Sequence, residues 1–270
     1  VASSFSLAAL TSAEARERLA RRPVILLPMG SLEEQGPHAP MGDFMLAERL
    51  ALAMAERAAA EGAEALVAPV IPFGGADWFG PIPGGIALKP ATLTAVLGDV
   101  LDALLAHGLD RMLIVNGHGG NAGPIEEATR AVAGRGGTLI PTLHIWRALA
   151  ARWPQLSGAT GTLGHGGDPV WSVALALVPE LCRPDRLAGP APSLPVLGLP
   201  VSGFGTIRFE EVDLTVPIEI DRIAPSGVFG ADPRGGSAEA GARAVDWLAG
   251  LGARLIAHLS AIAPRQGQVR

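Results

Sequence analysis

The chain is organised as blocks of apolar residues whose period changes along its length. Val24-Ile25-Leu26-Leu27-Pro28 is an unbroken apolar run of strand length, and Ala65 to Val70 and Arg111 to Asn116 repeat the theme. Continuous runs of this kind predict strands buried on both faces, as in a parallel sheet. Between them, Leu46 to Ala60, Thr92 to His107 and Pro124 to Ala133 carry apolar residues at helical spacing, and Gly108 supplies a C-terminal stop. Thr11-Ser12-Ala13-Glu14 reads as a capping box that opens a short helix through Leu19. Thr138 to Leu143 predicts a fourth strand and Val170 to Leu177 another helix. Ala238 to Ala261 predicts a closing helix with Trp247, Leu248 and Leu255 toward the core. This alternation predicts an α/β fold, a three-layer α/β/α sandwich around a mostly parallel central sheet. Gly189 to Val212, rich in proline and glycine, predicts a long loop or hairpin excursion. No linker divides the chain, so residues 1–270 are expected to form a single domain.

Composition narrows the function classes. The 270 residues are 49% hydrophobic and 17% charged, which suits a well-buried enzyme-sized core. A net charge of −5 argues against nucleic acid as a partner, because phosphate binding needs a basic face. The lone Cys182 excludes an intrachain disulfide, fits a reducing cytoplasm and reads as a packing residue. There is neither an apolar run long enough to span a bilayer nor the tripartite order of a signal peptide, so a soluble, cytoplasmic protein without a membrane partner is expected.

The chemistry-bearing residues cluster just after the apolar runs. In a parallel sheet those carboxyl ends share one edge, so loops that follow them can meet. The first such loop, Gly30 to Asp43, offers Glu33, Glu34, His38 and Asp43. The next offers His118 within Asn116-Gly117-His118-Gly119-Gly120-Asn121, and a loop after Leu143 offers His144 and Trp146. Gly164-His165-Gly166-Gly167-Asp168 precedes a further helix. Carboxylates and imidazoles from separate strand ends suggest a divalent metal that activates water or polarises a carbonyl. The plainer readings are that His118 ends a turn, that His38 caps backbone groups and that Glu34 is solvated. Asp77-Trp78-Phe79-Gly80 reads equally as pocket wall or structural turn, and His107 and His258 as ordinary surface or packing residues.

Together these segments resemble the creatininase family of metal-dependent amidohydrolases. The first loop is similar to its Gly-Ser-x-Glu-Gln-His-Gly-Pro-His-x-Pro pattern, and Asn116 to Asn121 matches its second signature in full. Gly164 to Ser172 is similar to a worn form of its His-Ala-Gly-Glu-x-Glu-Thr-Ser segment, and Gly227 to Pro233 also resembles the family. The resemblance implies a dinuclear site with a bridging aspartate. Transferred by position, Glu33, Asp43 and His118 are the metal ligands, with Asp43 placed by a one-residue deletion that otherwise puts Phe44 there. A ligand histidine is replaced by Gln35 and a ligand glutamate by Val170, with Asp168 as a nearby substitute. This pattern implies one divalent ion per chain (zinc, manganese or iron) instead of two. His165, joined by Asp168, is implied as the catalytic acid and base. Gln35, His38, Asp77, Trp78 and Trp146 are expected around the substrate.

The function implied is hydrolysis of a small cyclic amide, a formamide or a peptide amide. Two alternatives remain open: a metal-poor paralogue that acts as a binding or assembly protein, and an isomerase or lyase that reuses the pocket. The family further implies a homo-oligomer, with hexamers among its forms.

Overall fold

The computed structural model describes residues 4–75, 78–158 and 164–262. The elements follow the order β1 (Val24–Met29), α2 (Phe44–Ala60), β2 (Ala65–Val67), α3 (Pro90–Ala106), β3 (Met112–Asn116), α4 (Ala122–Gly136) and β4 (Thr142–His144), after a first helix α1 (Ser12–Leu19). Then come α5 (Ile145–Ala150), α6 (Trp153–Ser157), α7 (Val170–Leu177), the strands β5 (Val201–Gly203), β6 (Thr206–Phe209) and β7 (Val212–Thr215), α8 (Ile220–Ile223) and α9 (Ala238–Ala261). Thr11 closes the predicted capping box with Glu14 at the start of α1.

The central sheet runs β2-β1-β3-β4, and every pair in it is parallel. The apolar runs are continuous because alternate residues face two different cores. Val24, Leu26, Leu113 and Val115 pack with α2, α7 and α9 on one side. Ile25, Leu27, Ile114 and Leu66 pack with Leu93, Leu97 and Leu101 of α3 and Ile125 of α4 on the other. Both faces are therefore sealed by helices, as the sequence pattern predicts.

Strand order explains where a ligand can sit. β1 passes through α2 to β2 on one flank; β2 then returns through α3 to β3 on the other flank of β1. The connections after β1 and β3 thus diverge to opposite faces and leave a crevice at their carboxyl ends. Met29 pairs with Asn116 at that edge, and the Gly117 N–H donates to the Met29 carbonyl at 2.8 Å.

Several boundaries differ from expectation for identifiable reasons. β2 stops at Val67 because Pro69 has no N–H to donate to a ladder. β4 begins at Thr142 instead of Thr138, and no loop follows it: His144 ends the strand and Trp146 already lies in α5. The Gly189 to Val212 excursion resolves into the antiparallel sheet β5-β6-β7, which has its own apolar cluster around Ile207, Ile218 and Ile220. Cys182 is buried, and burial pushes its thiol up to about 11, which suits a packing role. Among the described residues, no helix is long and apolar enough to cross a membrane.

Candidate metal centre and its cavity

Glu33 and Asp43 come from the segment between β1 and α2, and His118 from the turn after β3. One ligand atom from each lies within 4.8 Å of the others, and all three residues are buried. His118 Nδ1 is 3.0 Å from Glu33 Oε2 and 3.4 Å from Asp43 Oδ2. The one-residue deletion is thereby accounted for in space, since Asp43 reaches the cluster while Phe44 begins α2.

Local bonding fixes each member. Asp43 Oδ1 accepts from the Ser31 N–H at 2.6 Å, which turns Oδ2 toward His118. Position 30 must be glycine for this turn to close: a Cβ there would lie 2.5 Å from Asp43 Oδ1 and from the Phe44 backbone nitrogen. The His118 peptide is gripped by Asn116, whose Nδ2 donates to the His118 carbonyl at 2.7 Å while Oδ1 accepts from its N–H at 3.2 Å. Asn121 ties that turn to two other loops. Its Nδ2 donates to the Gly30 carbonyl and to Asn116 Oδ1, both at 3.1 Å, and its Oδ1 accepts from the Gly75 N–H at 2.9 Å. The asparagines of the Asn-Gly-His-Gly-Gly-Asn motif are thus braces, and the histidine between them carries the chemistry.

The electrostatics are those of a site built for positive charge. Burial first, and then the neighbouring Glu33 carboxylate, push Asp43 up to about 7. Burial works against a charged His118, but Glu33 and Asp43 outweigh it and hold the imidazole well above its ordinary range. Glu33 Oε2 and His118 Nε2 are buried without a hydrogen-bond partner. Two carboxylates and an imidazole form a donor set that suits a zinc-, manganese- or iron-like divalent ion, and these orphaned atoms fit such an occupant. Among the described residues this is the cluster with three such donors.

The cluster opens into a cavity of about 350 Å³. Gln35 and Val170, the two positions read as lost ligands, both line it. Gln35 Nε2 donates to Glu33 Oε1 at 2.9 Å, and its Oε1 accepts from the Gly166 N–H at 3.4 Å, so its amide braces the glutamate. His165 lines the cavity with Nε2 unpartnered. Burial lowers its pKa, and the Glu34 carbonyl hydrogen-bonds the ring. The remaining walls are largely aromatic. Trp78 and Trp146 are among them, and the Trp146 Nε1–H donates to the Gly117 carbonyl.

Other expected residues sit elsewhere. His38 is not part of the lining: it is buried against Trp171, with rings 4.7 Å apart, and its Nε2 lies 2.8 Å from the Gly166 carbonyl. It clamps the first loop to the 164–168 turn, where Gly166 has φ of 61°. Asp168 also stays outside the lining, because its Oδ1 is engaged by the Ser172 hydroxyl at 2.6 Å and the Ser172 N–H at 3.1 Å. Ser172 in turn accepts from the Ser237 N–H, so Asp168 anchors α7 to the start of α9. Glu34 is not solvated as expected but half-buried, and burial raises its pKa. His107 and His258 are exposed, and Asp77 lies outside the described residues. Phe79, in the stretch read as either pocket wall or turn, lines the cavity, and so does Phe204, which sequence reading missed. The signal for Phe204 was a lone aromatic between Gly203 and Gly205 at a strand turn.

Comparison with known proteins settles the ancestry. The family model described as creatinine amidohydrolase matches residues 8–256. The chain belongs to the creatininase family. The mycofactocin precursor peptide peptidase of Mycobacterium ulcerans is 30% identical over 171 residues, which span 62% of this chain and 63% of that protein. The creatinine amidohydrolase of Pseudomonas putida is 31% identical over 195 residues, spanning 63% of this chain and 70% of the other. A solved structure described as "Creatininase Mn" superposes with a TM-score of 0.78 at 27% identity, covering 96% of this chain and 100% of that one. The family supplies the fold and the metal-site precedent, while substrate choice differs among the named relatives.

Proposed function

We propose that the protein is an amidohydrolase that works with one divalent ion held by Glu33, Asp43 and His118. The observation that carries this reading is the convergence of three buried donors, two of them with orphaned atoms, beside the unpartnered His165 Nε2 in one cavity. A divalent ion in such a set supplies Lewis acidity toward an amide carbonyl and makes water a better nucleophile near neutral pH.

The chain's own residues do the rest. His165, kept neutral by burial and bonded to the Glu34 carbonyl, leaves Nε2 free to take a proton from water and return it to the leaving nitrogen. The water oxygen bonds to the carbonyl carbon, the C–N bond breaks, and the nitrogen leaves with the proton. Gln35 holds Glu33 Oε1 so that Oε2 faces the cluster. The aromatic walls keep bulk water from the reacting groups.

The reading includes zinc, manganese or iron as the ion, a single domain, cytoplasmic residence and a homo-oligomer. Gln35 and Val170 favour one competing possibility, a metal-poor binding protein. Dialysed protein should regain hydrolysis of formamides or cyclic amides on addition of manganese or zinc, and His118→Ala should abolish that gain. A chain that binds neither ion and gains no activity belongs to the competing reading.

A further inference from the structure

The cavity walls restrict what an amide substrate can carry. Among the described residues that line it, there is no arginine or lysine to hold a carboxylate or phosphate. The acids among those described residues, Glu33 and Asp43, are committed to the metal cluster. The wall's amide is already anchored to the frame, and one of its indoles has its only donor engaged. Gln35 spends its Nε2 on Glu33 and its Oε1 on Gly166, and the Trp146 Nε1–H is spent on Gly117.

The rest of the wall is flat and aromatic. Phe204 projects from the turn between β5 and β6, 38% exposed, and places its ring 6.0 Å from Trp78 and 5.9 Å from His165. Phe79 also lies 5.0 Å from His165. These rings run from the partly exposed Phe204 to the proton-handling histidine, and Val170 contributes an apolar surface where a polar ligand is absent.

We propose that the substrate is an uncharged aryl amide, of the N-aryl formamide type, with its ring laid against the wall that Phe204 and Trp78 form together and its carbonyl toward Glu33, Asp43 and His118. This rests on the amidohydrolase reading for the orientation of the carbonyl, but the preference for a neutral ring rests on the walls alone. Hydrolysis adds the water oxygen to the formyl carbon, breaks the C–N bond and delivers the proton to the aryl nitrogen, giving formate and an arylamine. Ring contacts of this kind are favourable beyond area burial by an amount that makes a loss of about tenfold in binding the expected effect of deleting one.

The test uses the full chain, loaded with manganese and also metal-free, and three probes: formanilide, 4-formamidobenzoate and N-methylformamide. Binding is read by tryptophan fluorescence and turnover by formate release. Formanilide should bind at least about tenfold more tightly than either companion, with KM raised about tenfold in Phe204→Ala and far less in Phe204→Leu. Equal or tighter binding of 4-formamidobenzoate would overturn the proposal, as would Phe204→Ala binding formanilide like the parent protein. Selective formanilide binding without turnover supports this cavity assignment while refuting the hydrolase reading. Turnover with no preference for formanilide does the reverse.

Discussion

The cluster of Glu33, Asp43 and His118 holds protons where a cation would otherwise sit, and metal binding must expel them. With ordinary ionisation, a metal entering at pH 7 would displace roughly a quarter of a proton, since histidine titrates near 6.5 and aspartate near 3.9. Here Asp43 is pushed up to about 7, and His118 is held well above its ordinary range. Clearly more than a quarter of a proton should therefore leave per ion bound at pH 7. The sign follows directly: both shifts are upward, so both groups carry more proton than usual as pH falls toward 7, and each proton opposes the ion. Affinity should weaken as pH drops through 7, by between about tenfold and a hundredfold per pH unit according to whether one proton or two are displaced. Calorimetric titration with manganese in two buffers of different ionisation heat measures the proton count. A count near a quarter at pH 7, or an affinity flat between about pH 6 and 8, would refute the electrostatic reasoning.

Three further outcomes follow from the same contacts. Asn121→Ala removes three hydrogen bonds from a fully buried amide, so it should cost roughly 3 kcal/mol in urea unfolding and loosen the His118 turn enough to weaken metal binding. His165→Gln should keep its metal, since His165 is not one of the three clustered donors, yet lose about a hundredfold or more in kcat; metal loss in that variant would contradict the division of labour. Asp168→Ala should lower thermal stability by freeing Ser172 and the start of α9 while leaving metal content unchanged, as elemental analysis of the variant would reveal.

The fold was legible because burial on both faces of a parallel sheet forces continuous apolar runs such as Val24 to Met29. The helices α7 and α9 were legible from their spacing, and their bounds coincide with the expected ones. Glu33 and His118 could be read because each sits a few residues beyond such a strand, and the sheet alone carries them to one edge. Asp43 needed the deletion, and only its placement beside Glu33 and His118, with Phe44 already in α2, bears on that choice. Three residues were opaque for a different reason. His38 and Asp168 have the chemistry of a site but spend it on Gly166 and Ser172, partners fixed by loop geometry. Phe204 reaches the cavity from an antiparallel excursion whose exposed β7 residues, Val212 and Leu214 among them, show no clean alternation of burial.

Binding of the ion itself is the most direct test of the central claim. Purified chain stripped with chelator, re-equilibrated with manganese or zinc and passed through a desalting column should retain about one ion per chain by elemental analysis, with Glu33→Gln, Asp43→Asn and His118→Ala each retaining next to none. Two ions per chain, or none, or full retention in any of those variants, would contradict a single cation held by these three side chains.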